Sequence, residues 1–234
     1  MHFILVTFGF DDIKQVKWRN FLRAFPAATY DVIENNYEYE HTDKHVHSGS
    51  NAQFEFSGYL EGMECAPVNA SMLIILNDTL FSHHFTLGWQ RVLQRTLGWK
   101  PGIYGDPRIE PISWDGRPLR IYASWMFVLS GFHAQIVFKS ELEKVIQSFQ
   151  KPLQFQDYEA YMNRYLRGSW VSGYTQPALM QNSREKKRKM QCIHAEHRLG
   201  RALDILYGIR NPPSVWYPLV HLADRALSFW RRMH

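Results

Sequence analysis

At 234 residues, 45 % of them apolar and 15 % aromatic, the chain is long enough for one large core with a helical appendage. Its two cysteines, Cys65 and Cys192, exclude a disulfide framework and point to a reducing compartment, and no segment approaches the roughly 18 apolar residues that span a bilayer. The net charge of +5 is uneven: residues 184–234 hold 11 Lys/Arg against 4 Asp/Glu, while residues 1–183 are slightly acidic. That distribution argues against a nucleic-acid-binding body and for a basic tail meeting an anionic surface such as a membrane.

The amino-terminal run Phe3–Phe8 is apolar but lacks a basic n-region and a cleavage site, and Asp11 and Asp12 follow directly. It therefore reads as a first strand and not as a signal peptide. Asp11–Phe25 reads as a helix with Val16, Phe21, Leu22 and Phe25 on its inner stripe, closed by Pro26, whose ring cannot continue the hydrogen-bond ladder. Thr29–Ile33 is a second short strand that stops at Glu34-Asn35-Asn36. A polar loop to Ser48 follows, with His41, His45 and His47 in it. Without cysteine or a recognisable ligand spacing, these histidines read as exposed loop residues.

Ser50 and Gln53 have the spacing of a capping box, so a helix is expected from Ser50, with Ala52, Phe56, Tyr59, Leu60 and Met63 buried. Ser71–Leu76 is an uninterrupted apolar run, as in a strand covered on both faces, and it ends in Asn77-Asp78-Thr79. Phe85–Leu97 reads as a helix and Gly98–Pro118 as a long loop rich in Pro, Gly and Asp. Leu119–Gly131 fits a strand or the start of a helix, and Phe132–Phe149 a helix. Beyond Pro152 the chain reads as helices over Gln156–Arg167, Arg184–Tyr207 and Ser214–Met233. Strands alternating with helices give an α/β fold with a mainly parallel sheet over residues 1–150, followed by a helical extension over 151–234.

In a parallel sheet of this order, three strand exits meet on one edge: Thr7-Phe8-Gly9, Glu34-Asn35-Asn36 and Asn77-Asp78-Thr79. The expected helix start at Ser50, next to Gly49, adds free N–H groups that favour an anion. Asn, Asp and Thr are also plain turn formers, and the tripeptide alone carries no chemistry. A carboxylate facing a helix amino end suits a diphosphate held by a divalent cation. There is no Walker loop and no Gly-x-Gly-x-x-Gly, and His194-Ala-Glu-His197 lacks the zincin spacing.

The order of strand, acidic-amide loop, Ser48-Gly49-Ser50-Asn51 and a strand ending in Asn77-Asp78-Thr79 resembles the GT-A glycosyltransferases, most closely bacterial enzymes that extend surface polysaccharides. The resemblance implies a Rossmann-like GT-A sheet and a nucleotide-sugar donor, bound by Thr7, Phe8, Glu34, Asn35, Asn36, Ser50, Asn51 and Asn77. Asp78 matches the last acid of the family's Asp-x-Asp motif and would hold Mg²⁺ or Mn²⁺. The first acid is missing, since Leu76 and Asn77 stand there, and so is the Glu-Asp pair of many inverting members. Asp157 and Glu159 fall at the right distance along the chain to supply the base, with Asp106 and Glu110 as rivals and Glu196 as a brace. The expected acceptor is a glycan or a lipid-linked sugar. In the last helix Trp216, Leu219, Ala223, Leu227 and Trp230 share a stripe near Arg225, Arg231 and Arg232. That pattern fits either an interfacial helix on the inner face of the cytoplasmic membrane or a helix docked on the body. The alternative to an enzyme is an inactive scaffold of the same fold in a membrane-associated polysaccharide assembly.

Overall fold

A computed structural model describes residues 1–36, 43–110, 119–149, 183–208 and 210–233. The expected catalytic residues Asp157 and Glu159 lie outside them, as do His41 and the expected helix over 156–167. The described strands are β1 (His2–Thr7), β2 (Thr29–Glu34), β3 (Val46–Ser48), β4 (Met72–Asn77), β5 (Gly102–Glu110) and β6 (Leu119–Ser130). The helices are α1 (Asp12–Leu22), α2 (Glu55–Cys65), α3 (Thr79–His83), α4 (Thr86–Leu93), α5 (Phe132–Ser148), α6 (Ser183–Tyr207) and α7 (Tyr217–Met233).

The strands form one mixed sheet in the order β3-β2-β1-β4-β6-β5. The β1–β2, β2–β3 and β1–β4 pairs are parallel, whereas β6 runs antiparallel to both β4 and β5. Every residue of β1 and β4 is buried, which is why Phe3–Val6 and Met72–Leu76 are unbroken apolar runs and not alternating ones. Helices cover both faces. Phe3, Leu5, Ile74 and Leu76 point toward α1, α4 and α7, where Trp18, Phe21, Trp89, Val92, Tyr217 and Val220 meet them. Ile4, Val6, Leu73 and Ile75 point the other way, into Phe56, Tyr59, Phe138, Leu142, Ala195 and Leu199 of α2, α5 and α6. The C-terminal helices thus complete both halves of the core.

Local boundaries differ from expectation where backbone or packing overrides propensity. Helix α1 turns Trp18 and Phe21 inward, the two rings stacked at 5.6 Å, and leaves Val16 exposed. Helix α2 starts at Glu55 and not at Ser50, because Asn51 and Phe54 both have positive φ (46° and 57°) and interrupt the chain. The Ser50 amide bonds to the Glu61 carboxylate at 3.1 Å, so the capping box with Gln53 does not form. The expected helix Phe85–Leu97 is shorter, ending at Leu93 and followed by a 3-10 turn at Thr96–Gly98.

The expected loop after Gly98 contains β5. This is an edge strand, where the Gly105-Asp106-Pro107 segment is tolerated at a break in register with β6. Leu119–Ser130 resolves as strand β6, turning into α5 through Gly131 at φ +86°. The polar histidine loop holds the short strand β3, which carries Val46, His47 and Ser48 alongside β2. Its two described histidines face Asp31, His47 Nε2 at 2.8 Å and His45 Nδ1 at 3.8 Å from Oδ1, while buried His2 of β1 approaches Oδ2 at 3.2 Å.

Candidate functional site

Because β1, β2 and β4 are parallel, their carboxyl ends share one edge of the sheet. The strand order reverses at β1, which has β2 on one side and β4 on the other. In open α/β sheets such a reversal opens a crevice at the carboxyl ends of the strands. Thr7 and Phe8 leave β1 at this point, and Asn77 and Asp78 leave β4 beside them. The main chain zips the two exits together, with Asp78 N donating to Val6 O at 3.1 Å.

Asp78 is the centre of this cluster. Its Oδ2 accepts from Thr7 Oγ1 at 3.2 Å, from Phe8 N at 3.3 Å and from Lys14 Nζ at 2.6 Å. Lys14, in the first turn of α1, also donates to Phe8 O at 2.6 Å. Both partners of the pair remain partly accessible, at 26 % for Lys14 and 18 % for Asp78. The Phe8 ring is exposed beside them. The cluster therefore offers a carboxylate, an ammonium and a flat apolar ring to an incoming ligand.

Glu34 and Asn35 lie at the same edge but face inward. The Glu34 carboxylate is buried and takes Gly9 N at 2.9 Å, Asn36 N at 2.6 Å and Phe10 N in a short contact. It ties the turn after β1 to the end of β2. Asn35 is buried and donates to Phe54 O at 3.3 Å. A side chain at Gly49 would place its Cβ 2.1 Å from Asn35 Oδ1 and 2.7 Å from Ile33 Cγ2. The glycine thus makes room for Asn35.

Asn51 Oδ1 is buried without a hydrogen-bond partner, and Ser50 sits at the surface. Asn77 faces the sheet interior, where its Oδ1 accepts from Thr79 N at 3.1 Å and its Nδ2 donates to Tyr59 OH at 3.2 Å. Tyr59 in turn donates to Ser124 O, and Ser124 N donates to Glu196 Oε1 at 3.1 Å. Glu196 therefore braces the edge of β6 from α6. Burial, with the Glu55 charge adding to it, holds the Tyr59 hydroxyl well above its ordinary range, so it stays protonated as a donor.

A second polar cluster, of which only Asp106 stood out in the sequence, fixes α7. Asp224 accepts from His84 Nδ1 at 2.8 Å, Phe85 N at 2.6 Å and Trp89 Nε1 at 2.7 Å. Burial opposes its ionisation, but these hydrogen bonds outweigh it and hold the carboxyl below its usual range. The His84 ring stacks on Trp125 at 3.9 Å. Nearby, buried Asp106 accepts from Tyr217 OH at 3.2 Å and lies 3.2 Å from His221 Nδ1. That bond raises the His221 imidazole above its ordinary range against a smaller effect of burial. Asp106, expected as a rival base, is thus engaged by α7. His84, only six positions after Asp78, is directed to Asp224 of α7.

Helix α7 docks through one face and leaves another open. Tyr217 and Val220 are buried, and the Trp216 ring lies under the Arg91 guanidinium at 5.3 Å. Leu219, Leu222 and Trp230 are exposed, as is Arg225. Among the described residues no helix is long and apolar enough to cross a membrane, and no group of three or more His, Cys, Asp or Glu side chains is arranged to hold a metal ion. Compared with known proteins, the chain matches no protein-family model, no curated protein and no solved structure.

Proposed function

We propose that the chain is a GT-A-like glycosyltransferase, moving a sugar from a nucleotide-sugar donor to a glycan or lipid-linked acceptor. The observation that carries this reading is the meeting of Thr7, Phe8, Lys14 and Asp78 at the reversal point of the sheet. A donor laid across the carboxyl ends of β1 and β4 would set its diphosphate against the Lys14–Asp78 pair. The exposed Phe8 ring suits the face of a base or sugar. Thr7 Oγ1 and Phe8 N hold the Asp78 carboxylate in one orientation, so little rearrangement is needed on binding. In this proposal Glu34, Asn35 and Asn77 shape the edge from beneath, Asn36, Ser50 and Asn51 flank it, and Asp157 or Glu159 takes the proton from the acceptor hydroxyl.

The resemblance also implies Mg²⁺ or Mn²⁺ at Asp78, where the ion would offset charge on the diphosphate. The donor set here fits such an ion poorly. Asp78 brings a single carboxylate whose Oδ2 already holds an ammonium at 2.6 Å, and the Glu34 carboxylate is occupied by three main-chain N–H groups. No step is therefore assigned to a metal.

A membrane partner belongs to the same proposal. The open stripe of α7, Leu219, Leu222 and Trp230 beside Arg225, suits the headgroup level of an anionic membrane. An enzyme held there on the cytoplasmic face would meet a lipid-linked acceptor. The scaffold reading is favoured by one observation, the closure of Asp78 by Lys14. Melting temperature measured with UDP-, GDP-, CMP- and dTDP-sugars tests the proposal, because a ligand that binds only the folded state must raise it. The enzyme reading expects one nucleotide to stabilise the protein and Asp78→Ala to abolish that shift and sugar transfer. No shift across the panel would leave the scaffold.

A further inference from the structure

This inference rests on the nucleotide-sugar reading and concerns what replaces the metal. We propose that Lys14 and Lys17 of α1 form the cationic seat for the donor's diphosphate, so that binding does not require a divalent ion.

Several main-chain N–H groups at this edge already have acceptors. The turn between a strand and a helix ordinarily holds phosphate through its free main-chain N–H groups. Here Phe8 N is taken by Asp78, Gly9 N and Phe10 N by Glu34, and Lys14 N by the Asp11 side chain at 2.8 Å. With these four N–H groups engaged, a diphosphate at this edge draws much of its positive charge from side chains.

Lys14 and Lys17 stand three positions apart, on one face of α1. Lys14 Nζ reaches the exit of β4, at Asp78 Oδ2 (2.6 Å), and Lys17 Nζ reaches the helix that follows it, at Phe81 O of α3 (3.4 Å). Asp78 and Phe8 O occupy two of the three N–H directions of the Lys14 ammonium. The third is left for a phosphate oxygen. One carboxylate with two ammonium groups carries a net charge of +1, the same as one carboxylate with a divalent cation. Asp78 is then a positioning residue, which aims Lys14 and does not coordinate an ion.

The test is equilibrium binding of UDP, GDP and dTDP to the full chain, in EDTA and in Mn²⁺, with each matching nucleoside as a probe lacking phosphate. Lys14→Met, Lys17→Met and Lys14→Arg are compared with the parent, and urea unfolding confirms that each is folded. The expected result is that one nucleoside diphosphate binds in EDTA. Lys14→Met should weaken it about tenfold or more, Lys17→Met less, and Lys14→Arg should retain most of it, with nucleoside binding unmoved. Binding that appears only with Mn²⁺, or that survives both methionine variants in EDTA, overturns the lysine seat while leaving a nucleotide site in place. Absence of binding under either condition overturns the nucleotide reading itself and the seat with it.

Discussion

Replacing Asp224 with alanine tests whether α7 is clamped to the body by a buried acid. The substitution strands Trp89 Nε1, on a residue that is fully buried, and His84 Nδ1, on a side chain only 8 % exposed. Phe85 N loses its acceptor too, but at a more exposed position where water can replace it. A stranded buried donor costs about 1–3 kcal/mol, and hydrogen bonds to a charged group stand at the upper end. Asp224→Ala should therefore lower stability by about 3–5 kcal/mol. Asp224→Asn keeps one acceptor oxygen and should lose about half as much. Urea unfolding followed by tryptophan fluorescence reads this directly, since Trp89 packs on Trp125 at 4.8 Å next to the clamp. Proteolysis between α6 and α7 should quicken in parallel. A loss of less than about 1 kcal/mol, the range of an exposed ion pair, would refute the clamp.

Three further outcomes are expected. Burial, with His194 adding to it, pushes the His197 imidazole down to about 4. The folded state thus resists a proton that the unfolded chain accepts at its ordinary 6.5, and stability should fall as pH drops from 6.5 toward 4, by about 3 kcal/mol if fully expressed. The stability difference between parent and His197→Gln, measured across that window, should change with pH; a flat difference removes the assignment. His221 has the opposite sign. Its folded-state value is raised by Asp106, so its contribution is complete below 6.5 and is lost as pH rises through the raised value, which should appear as faster proteolytic release of α7 at pH 8 than at pH 6 in the parent and not in His221→Gln. Gly49→Ala should cost about 1–3 kcal/mol through the collision with Asn35 and Ile33; a fully stable variant would show that Asn35 can move aside.

The α/β class, the two central strands and the convergence of their exits were legible in the sequence. Phe3–Val6 and Met72–Leu76 are apolar at every position, as in a strand covered on both faces. Parallel pairing then put Thr7, Glu34 and Asp78 on one edge. Local sequence could not determine which of these side chains face a ligand. Glu34 and Asn35 look like binding residues on paper, yet they are buried because the turn at Phe8–Phe10 and the main chain at Phe54 need their polar atoms. Strands β3 and β5 escaped notice because an edge strand owes its existence to the partner beside it and tolerates His, Gly and Pro in its own sequence.

The long-range pairs were wholly a matter of tertiary structure. Lys14 meets Asp78 across 64 positions and His84 meets Asp224 across 140. Nothing in the local sequence of Lys14 or Asp224 distinguishes them from solvated surface charges. Their meaning comes from the packing that brings α1 to the exit of β4 and α7 onto α3 and α4, and so gives each acid donors that are distant in sequence.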